Sequence, residues 1–342
     1  MSMYKTIFSG RLEFGTQRSY DKVYKMYEHR MESYYRNDIL LKEIEELFDG
    51  DNFSYEVPRY IVNSTKKSWS NTVNLLEYIA QFAVAGTFRA WMTEDGKKLA
   101  ERIIEPKSDK IAVQHFLKGR ELVDKKGQEV EAISSLNRAI EKFDRHANAY
   151  ERRGHVNFML RNFDDAMYDF TKSIDLGPNN PEPYFGRANV KLRQKDIANA
   201  IPDLEMACKK SIPHMTIYWQ ARRLKGETHM ALKEYAKAAF ELKLFTRRKF
   251  APDDINYKYR KKSLNSYGKA LTEIGEYPEA IEAFSKAVEI DNNTEVKPAD
   301  PFLFRGIARK KAGKNGFKKD WKEAATLGSK EAEALLSTKK KK

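Results

Sequence analysis

Cysteine is almost missing from this chain of 342 residues: Cys208 stands alone. One thiol cannot close an internal disulfide, and the clustered Cys/His spacings of zinc sites are absent. Long apolar runs are equally scarce. The longest nearly apolar stretch, Tyr78 to Phe88, contains Gln81 and falls far below the roughly 20 residues a membrane helix needs. The opening residues, MSMYKTIFSGRLEF, lack the apolar centre of a secretory leader, so the expected location is cytoplasmic and no membrane partner is expected. No glycine-rich phosphate loop with its lysine occurs either, since AGKNGFKK has the wrong spacing. No cofactor, metal or catalytic residue is therefore expected.

What is present is charge and periodicity. Hydrophobic residues make up 41% and charged residues 33%, a balance that suits a folded, well-solvated protein rather than a disordered one. The net charge of +14 comes from 63 basic and 49 acidic residues, and the first 112 residues hold 17 of each. The remaining 46 basic and 32 acidic residues put the whole excess on the C-terminal two-thirds. The final run, Lys339 to Lys342, reads as a solvated tail over residues 337–342.

Internal repetition sets the architecture. Ala132, Ala166, Ala200, Ala238 and Ala280 are separated by 34, 34, 38 and 42 residues. Four residues after each stands Leu136, Phe170, Leu204, Leu242 or Phe284, and twelve before each stands Arg120, Gly154, Ala188, Gly226 or Gly268. Small residues at these two points let a pair of antiparallel helices approach closely, and the Leu or Phe fills the space toward the next pair. One pair cannot bury its apolar face alone, so such pairs stack. In the first unit Arg120 replaces the small residue, with Gly119 beside it; the fourth has Arg222 at the place held by Phe116, Tyr150, Tyr184 and Phe302 in other units, and Phe245 at the place held by Ala139, Ser173, Ala207 and Ala287.

These residues resemble the tetratricopeptide family. The best stretch, ANAYERRGHVNFMLRNFDDAMYDFTKSIDLGPNN (147–180), carries Tyr150, Gly154, Phe163, Ala166, Phe170, Ser173 and Pro178 at that family's positions. Repeats read at 113–146, 147–180, 181–214, 219–252 and 261–294, followed by a partial repeat from 299 and a capping helix, KEAEALL. The resemblance implies a mostly α protein with an α-solenoid over 113–336, whose first helices line a concave face that takes extended peptides. By that mapping Arg152, His155, Asn189, Arg193, Arg223 and Lys269 face the groove, with Phe158 and Phe185 nearby. The Lys/Asn clamp with which some members grip a C-terminal carboxylate is missing, because Leu117, Glu121, Glu182 and Gly186 occupy its positions.

Residues 1–106 carry no such repeat. Tyr4 to Gly15 reads as a strand bent at Gly10. A helix follows, with Tyr20, Tyr24, Tyr27, Met31 and Tyr34 at helical spacing and a break near Asn37–Asp38 before ILLKEIEELF. FSYEVPRYIV reads as extended, Pro58 favouring an edge. A short helix near 70–80 then leads to a hairpin turning at Asp95–Gly96. The order is roughly β-α-β-α-β-β, a small α+β domain joined through a linker at 107–112. His29 and Cys208 read as structural, Cys208 as buried. The tyrosine stripe reads chiefly as core, with a partner or homo-oligomer surface as its other reading.

A basic cluster spans Lys243, Arg247, Arg248, Lys249, Lys258, Arg260, Lys261 and Lys262, interleaved with Phe245, Phe250, Tyr257 and Tyr259. It reads equally as a solvated linker and as a surface for an acidic protein or a phosphate backbone. Three functions remain open: a non-catalytic protein-binding adaptor taking an acidic or extended segment in its groove, an RNA- or ribosome-associated factor using the basic face, and an enzyme housed in the N-terminal domain.

Overall fold

The computed structural model describes residues 2–108, 110–290 and 296–337. The Lys-rich end at 338–342 and the close of the fifth repeat at 291–295 lie outside the described residues. The fold is mostly α, with a small antiparallel sheet at the N-terminus. The chain forms two compact units, Met1–Val190 and Lys191–Lys342, rather than dividing at the compositional change near 107–112.

The first unit opens with β1 (Tyr4–Glu13), α1 (Gln17–His29), α2 (Ile44–Leu47), β2 (Phe48–Asp49), β3 (Ser54–Ser64), α3 (Lys66–Ala80), β4 (Ala85–Glu94) and β5 (Lys97–Ile104). The strands form one sheet in the order β2-β3-β1-β4-β5, with β1 antiparallel to both neighbours. The bend expected at Gly10 is a bulge against β3. A Cβ there would sit 2.4 Å from the Cα of Phe88, so only glycine lets the two strands pair. Pro58 falls where β3 is an edge, since β2 pairs only with Ser54 and Tyr55, and its missing N–H costs no ladder bond. Asp95 and Gly96 both have positive φ, 47° and 75°, the conformation a two-residue hairpin turn requires.

One sheet face buries Phe8, Leu12, Tyr55, Val57, Phe88, Ala90, Met92 and Ile104 against Tyr20, Val23 and Tyr27 of α1 and Trp69, Val73, Leu76 and Ile79 of α3. The tyrosine stripe is core at Tyr20 and Tyr27 but not throughout. Over Arg30–Tyr34 the chain widens into a π-turn, which shifts the register and buries Tyr35 while Tyr34 is 71% exposed. The helix expected over ILLKEIEELF shrinks to the single turn of α2, and that expected at 70–80 extends back to a Thr65 cap, whose side chain accepts from the Ser68 N–H.

The helical pairs follow: α4 (Ile111–Val123) with α5 (Glu129–Lys142) and α6 (Ala147–Met159) with α7 (Phe163–Leu176), then α8 (Pro181–Arg193) and α9 (Ile197–Lys210) in chain order. Then come α10 (Thr216–Ala231) with α11 (Tyr235–Arg247), α12 (Arg260–Glu273) with α13 (Tyr277–Val288), and α14 (Asp300–Lys311) with α15 (Phe317–Thr326), closed by α16 (Lys330–Ser337). The repeating alanines at 132, 166, 200, 238 and 280 are fully buried. The glycines do what their spacing implied: a Cβ on Gly226 or Gly268 would lie 2.8 or 2.7 Å from the side chain of Leu242 or Phe284. In the first pair this role moves back one residue. Gly119 abuts Leu136, which frees Arg120 to reach Glu105 at 2.7 Å.

Most first helices end alike. Arg161, Lys195 and Lys233 adopt positive φ near 60° and Gly275 and Gly313 do so as glycines. The next N–H in each turn reaches five residues back, as in Asn162 to Asn157, Asp196 to Lys191, Glu234 to His229, Glu276 to Leu271 and Lys314 to Arg309. These bonds satisfy carbonyls that a helix end leaves open.

Within the first unit the sheet is tied to the helical pairs by polar bonds. Asn148 Nδ2 donates to Thr87 Oγ1 at 2.8 Å, Arg145 Nη2 to Asn52 Oδ1 at 2.6 Å, and Asn179 Nδ2 to Glu56 Oε1 at 2.6 Å. With the Arg120–Glu105 pair, they explain why residues on both sides of 107–112 form one compact unit.

Candidate functional site

Groove residues expected from the repeat mapping fall on both units and meet different surroundings. In the first unit Arg152 on α6 does not point freely at a ligand. Its Nε lies 3.1 Å from Glu151 Oε2, and Glu151, Glu182, Asp124 and Glu105 together stabilise its charge. The pKa of His155 is lowered by burial and then by Arg152. Glu182, at the start of α8, has its carboxyl pushed up to about 7 by burial and by the Glu151 charge, against the pull of Arg152, Arg89 and His155. Glu151 is buried and shifted upward for the same first reason. This face is thus a mixed cluster in which acid matches or exceeds base, not the cationic surface the sequence implied.

Phe158 packs beside Phe163 at 6.0 Å in the interior of its own helix pair. Phe185 is half-buried, and Asn189 donates from Nδ2 to the Phe185 carbonyl at 2.7 Å. Part of its hydrogen-bonding capacity is therefore spent on its own helix.

In the second unit Arg193 is exposed. Arg223 on α10 is buried to 8% exposure: its Nη1 donates to Glu227 at 2.7 Å and its guanidinium lies 3.9 Å over the Tyr259 ring. Its Nε has no partner. One helix pair further on, Asn265 of α12 is 5% exposed and its Oδ1 also has no partner. Lys262 Nζ stands 3.7 Å from Glu227, and Lys269 Nζ lies 3.8 Å over Phe304, its pKa lowered by burial. A donor and an acceptor with open capacity, flanked by two lysines, therefore share the first-helix face of α10 and α12. Asn265 occupies the same place in its repeat as Arg223, the fifth position, so its spacing could have found it.

The basic cluster separates on inspection. Lys261 is 2% exposed, with its ammonium donating to the Ile290 carbonyl at 3.0 Å; it serves the fold and is not a surface cation. Lys243 pairs with Glu279 at 3.1 Å. Arg247, Arg248, Lys249 and Lys258 are exposed, and Arg260 stacks on Tyr257 at 3.5 Å. Phe245 and Phe250 are buried against each other, centroids 4.9 Å apart.

Cys208 is half-buried rather than fully enclosed, with its thiol pushed up to about 11 by burial. His29 is exposed. A shallow cavity of about 350 Å³ lies among Glu205, Lys225, His229, Lys237, Phe240 and Glu241; Glu241 there is already held by Arg222 at 2.5 Å and Lys225 at 2.9 Å. Among the described residues no group of three His, Cys, Asp or Glu side chains is placed to hold a metal ion, and no helix is long and apolar enough to cross a membrane.

Family models of the tetratricopeptide repeat match residues 131–181 and 262–294. RNA polymerase II-associated protein 3 of Xenopus tropicalis is 25% identical over 180 residues, 52% of this chain and 27% of that protein. The chain thus spans about a quarter of the length of the curated relatives it matches. Among solved structures, YrrB, described as a TPR protein with an unusual peptide-binding site, superposes with a TM-score of 0.51 at 16% identity, covering 60% of this chain and 97% of its own. PilF of Pseudomonas aeruginosa gives 0.50 at 15% identity, covering 68% and 99%. At such identities the likeness is one of fold.

Proposed function

Taking the chain as the tetratricopeptide-repeat protein that its matched repeats and fold make it, we propose that it is a non-catalytic adaptor whose second unit grips an extended partner segment on the first-helix face of α10 and α12. The family's general role is protein interaction. One observation carries the finer reading: Arg223 Nε and Asn265 Oδ1 are buried polar atoms without partners, in side chains more than nine-tenths buried. Buried polar groups are normally satisfied, and leaving them open costs stability unless a ligand completes them. An extended backbone presents one carbonyl acceptor and one N–H donor per residue, the complement of these two atoms. Lys262 and Lys269 on either side favour acidic side chains in that segment.

Selection of a displayed random-peptide library on the wild-type protein tests this reading. Extended sequences rich in Asp and Glu are expected, and Asn265→Ala should weaken the selected peptides about tenfold, the worth of about 1.4 kcal/mol for a directed hydrogen bond. Peptides that bind Asn265→Ala as tightly as wild type would place recognition elsewhere.

A further inference from the structure

The exposed members of the basic cluster gather at one end of the helical pairs in the second unit. α10 starts there, α11 ends there and α12 starts there. Arg248, which caps α11, lies 5.7 Å over the Trp219 ring of α10. Asn256 in the connecting loop reaches the Thr216 carbonyl at 3.5 Å, and Tyr259 lies beneath Arg223 of α10. Three consecutive cations, Arg247, Arg248 and Lys249, are exposed at this end together with Lys258. Arg247 has only a loose pairing, 3.9 Å from Glu279.

Helix electrostatics account for only some of them. Basic residues at the end of α11 oppose its dipole favourably, but Lys258 and Arg260 stand at the start of α12, where positive charge is disfavoured. That first turn contains no acidic residue, and the side chain of its cap residue, Tyr259, makes no capping bond. Lys258 and Arg260 thus stand where the helix field repels them, offset in the loop only by Asp253 and Asp254 against six cations from Arg247 to Lys262 outside the buried Lys261, a balance that an external anion would relieve. The aromatic rings distinguish among anions. Trp219 is half-buried, set edge-on to Tyr218 at 4.9 Å and to Phe250 at 5.9 Å. Arg260 lies 3.5 Å over Tyr257. A guanidinium on a ring face keeps its N–H fork in plane for phosphate, and ring faces beside such forks suit unstacked bases. An acidic peptide needs the charges but not the rings.

We propose that this end of the second unit, built by Trp219, Arg247, Arg248, Lys249, Tyr257 and Lys258, binds single-stranded nucleic acid, separately from the peptide-gripping face around Asn265. The site takes phosphates on its cations and a base on Trp219.

Tryptophan fluorescence gives a selective readout, because Trp69, Trp91 and Trp321 are at most 5% exposed and only Trp219 is open to a stacking base. The full-length protein is titrated with oligouridylate and oligodeoxythymidylate of about 15 nucleotides, a length within the site sizes of single-strand binders. Binding at about 50 mM salt with quenched emission is expected for one or both; which of the two assigns the strand as RNA or DNA. Affinity should fall log-linearly with salt, by about 0.7 in slope per phosphate neutralised. The triple variant Arg247→Glu, Arg248→Glu, Lys249→Glu should bind at least tenfold more weakly, its slope reduced by about 2 for the three lost contacts. Trp219→Phe should abolish the quench yet retain binding within a few-fold, and Asn265→Ala should change nothing. Absence of binding, binding without quenching, indifference to the triple reversal, loss on Asn265→Ala, or equal competition by polyglutamate of matched charge would each overturn the proposal.

Discussion

Replacing Glu182 by glutamine should stabilise the first unit, and only above mildly acidic pH. Glu182 faces Glu151, Arg152 and His155 of α6 and Arg89 of β4, and burial with the Glu151 charge raises its pKa from 4.5 to about 7. The folded protein therefore keeps a proton that the unfolded chain releases near its ordinary value. Stability falls as pH rises between those two points, and the loss is complete above the folded value. A full shift of that size corresponds to about 3 kcal/mol. Glu182 retains partial solvent contact, so screening reduces the expected effect to about 1–2 kcal/mol. Glutamine has nearly the same shape and cannot ionise. Glu182→Gln should melt about 3–6 °C higher than wild type near pH 8, given about 2–4 °C per kcal/mol for a unit of this size. Near pH 4.5 the two proteins should melt together. Burial also lowers the pKa of His146, to about 3, and that of His155, which costs stability as pH falls; His146 cancels between the two proteins, whereas His155 feels the Glu182 charge and cancels only at the two ends of the range, where Glu182 or His155 is neutral. Equal stabilisation at both pH values, or none near pH 8, would refute the account of Glu182 by burial and the Glu151 charge.

Two further outcomes test the packing. Asp169 is 1% exposed and accepts from Arg153 Nη2 at 2.6 Å and Asn157 Nδ2 at 3.0 Å, so Asp169→Ala removes the carboxylate from the half-buried Arg153, which keeps only Asn137, and should cost about 1.5–3 kcal/mol in urea denaturation. Residues 1–106 enclose their own core, from Phe8 to Ile104, and we propose that they fold as a domain: the isolated fragment should unfold cooperatively by circular dichroism, whereas a non-cooperative melt would mean the sheet depends on the bonds from Arg145, Asn148 and Asn179.

The helical pairs were legible because close packing constrains side-chain size at fixed intervals, and Ala166 or Gly226 can be read from spacing alone. Gly119 shows the limit of that reading. The neighbouring glycine is visible in the pattern, but that it takes over the packing role is clear only once Leu136 lies against it. The strands and the Asp95–Gly96 turn were legible from local backbone chemistry, while the π-turn that exposes Tyr34 was not, since its cause is tertiary packing around Tyr35. Site residues were harder. Repeat position places a side chain on a face but does not say what neutralises it, so Arg152 and Arg223 read as available cations although Glu151 and Glu227 hold them. Glu182 was noted only for lacking a clamp lysine, because its perturbation comes from Glu151 and burial, neither adjacent in sequence.

The turns that end the first helices have a consequence for how this chain can vary. Their hydrogen bonds run from backbone to backbone, and the left-handed residue is arginine at 161, lysine at 195 and 233, and glycine at 275. Within each of these pairs the link is three residues long. The irregular spacings of the repeat, by contrast, all arise after a second helix: 211–215 is one residue longer than 177–180 and the α10 that follows is three longer than α8, and the remaining excess lies at 248–259. Each pair therefore has one margin fixed by main-chain geometry and another where residues can be added without disturbing helix stacking. Arg248, Lys249 and Lys258 lie on the permissive margin, where new surface chemistry can accumulate while the repeat register stays intact.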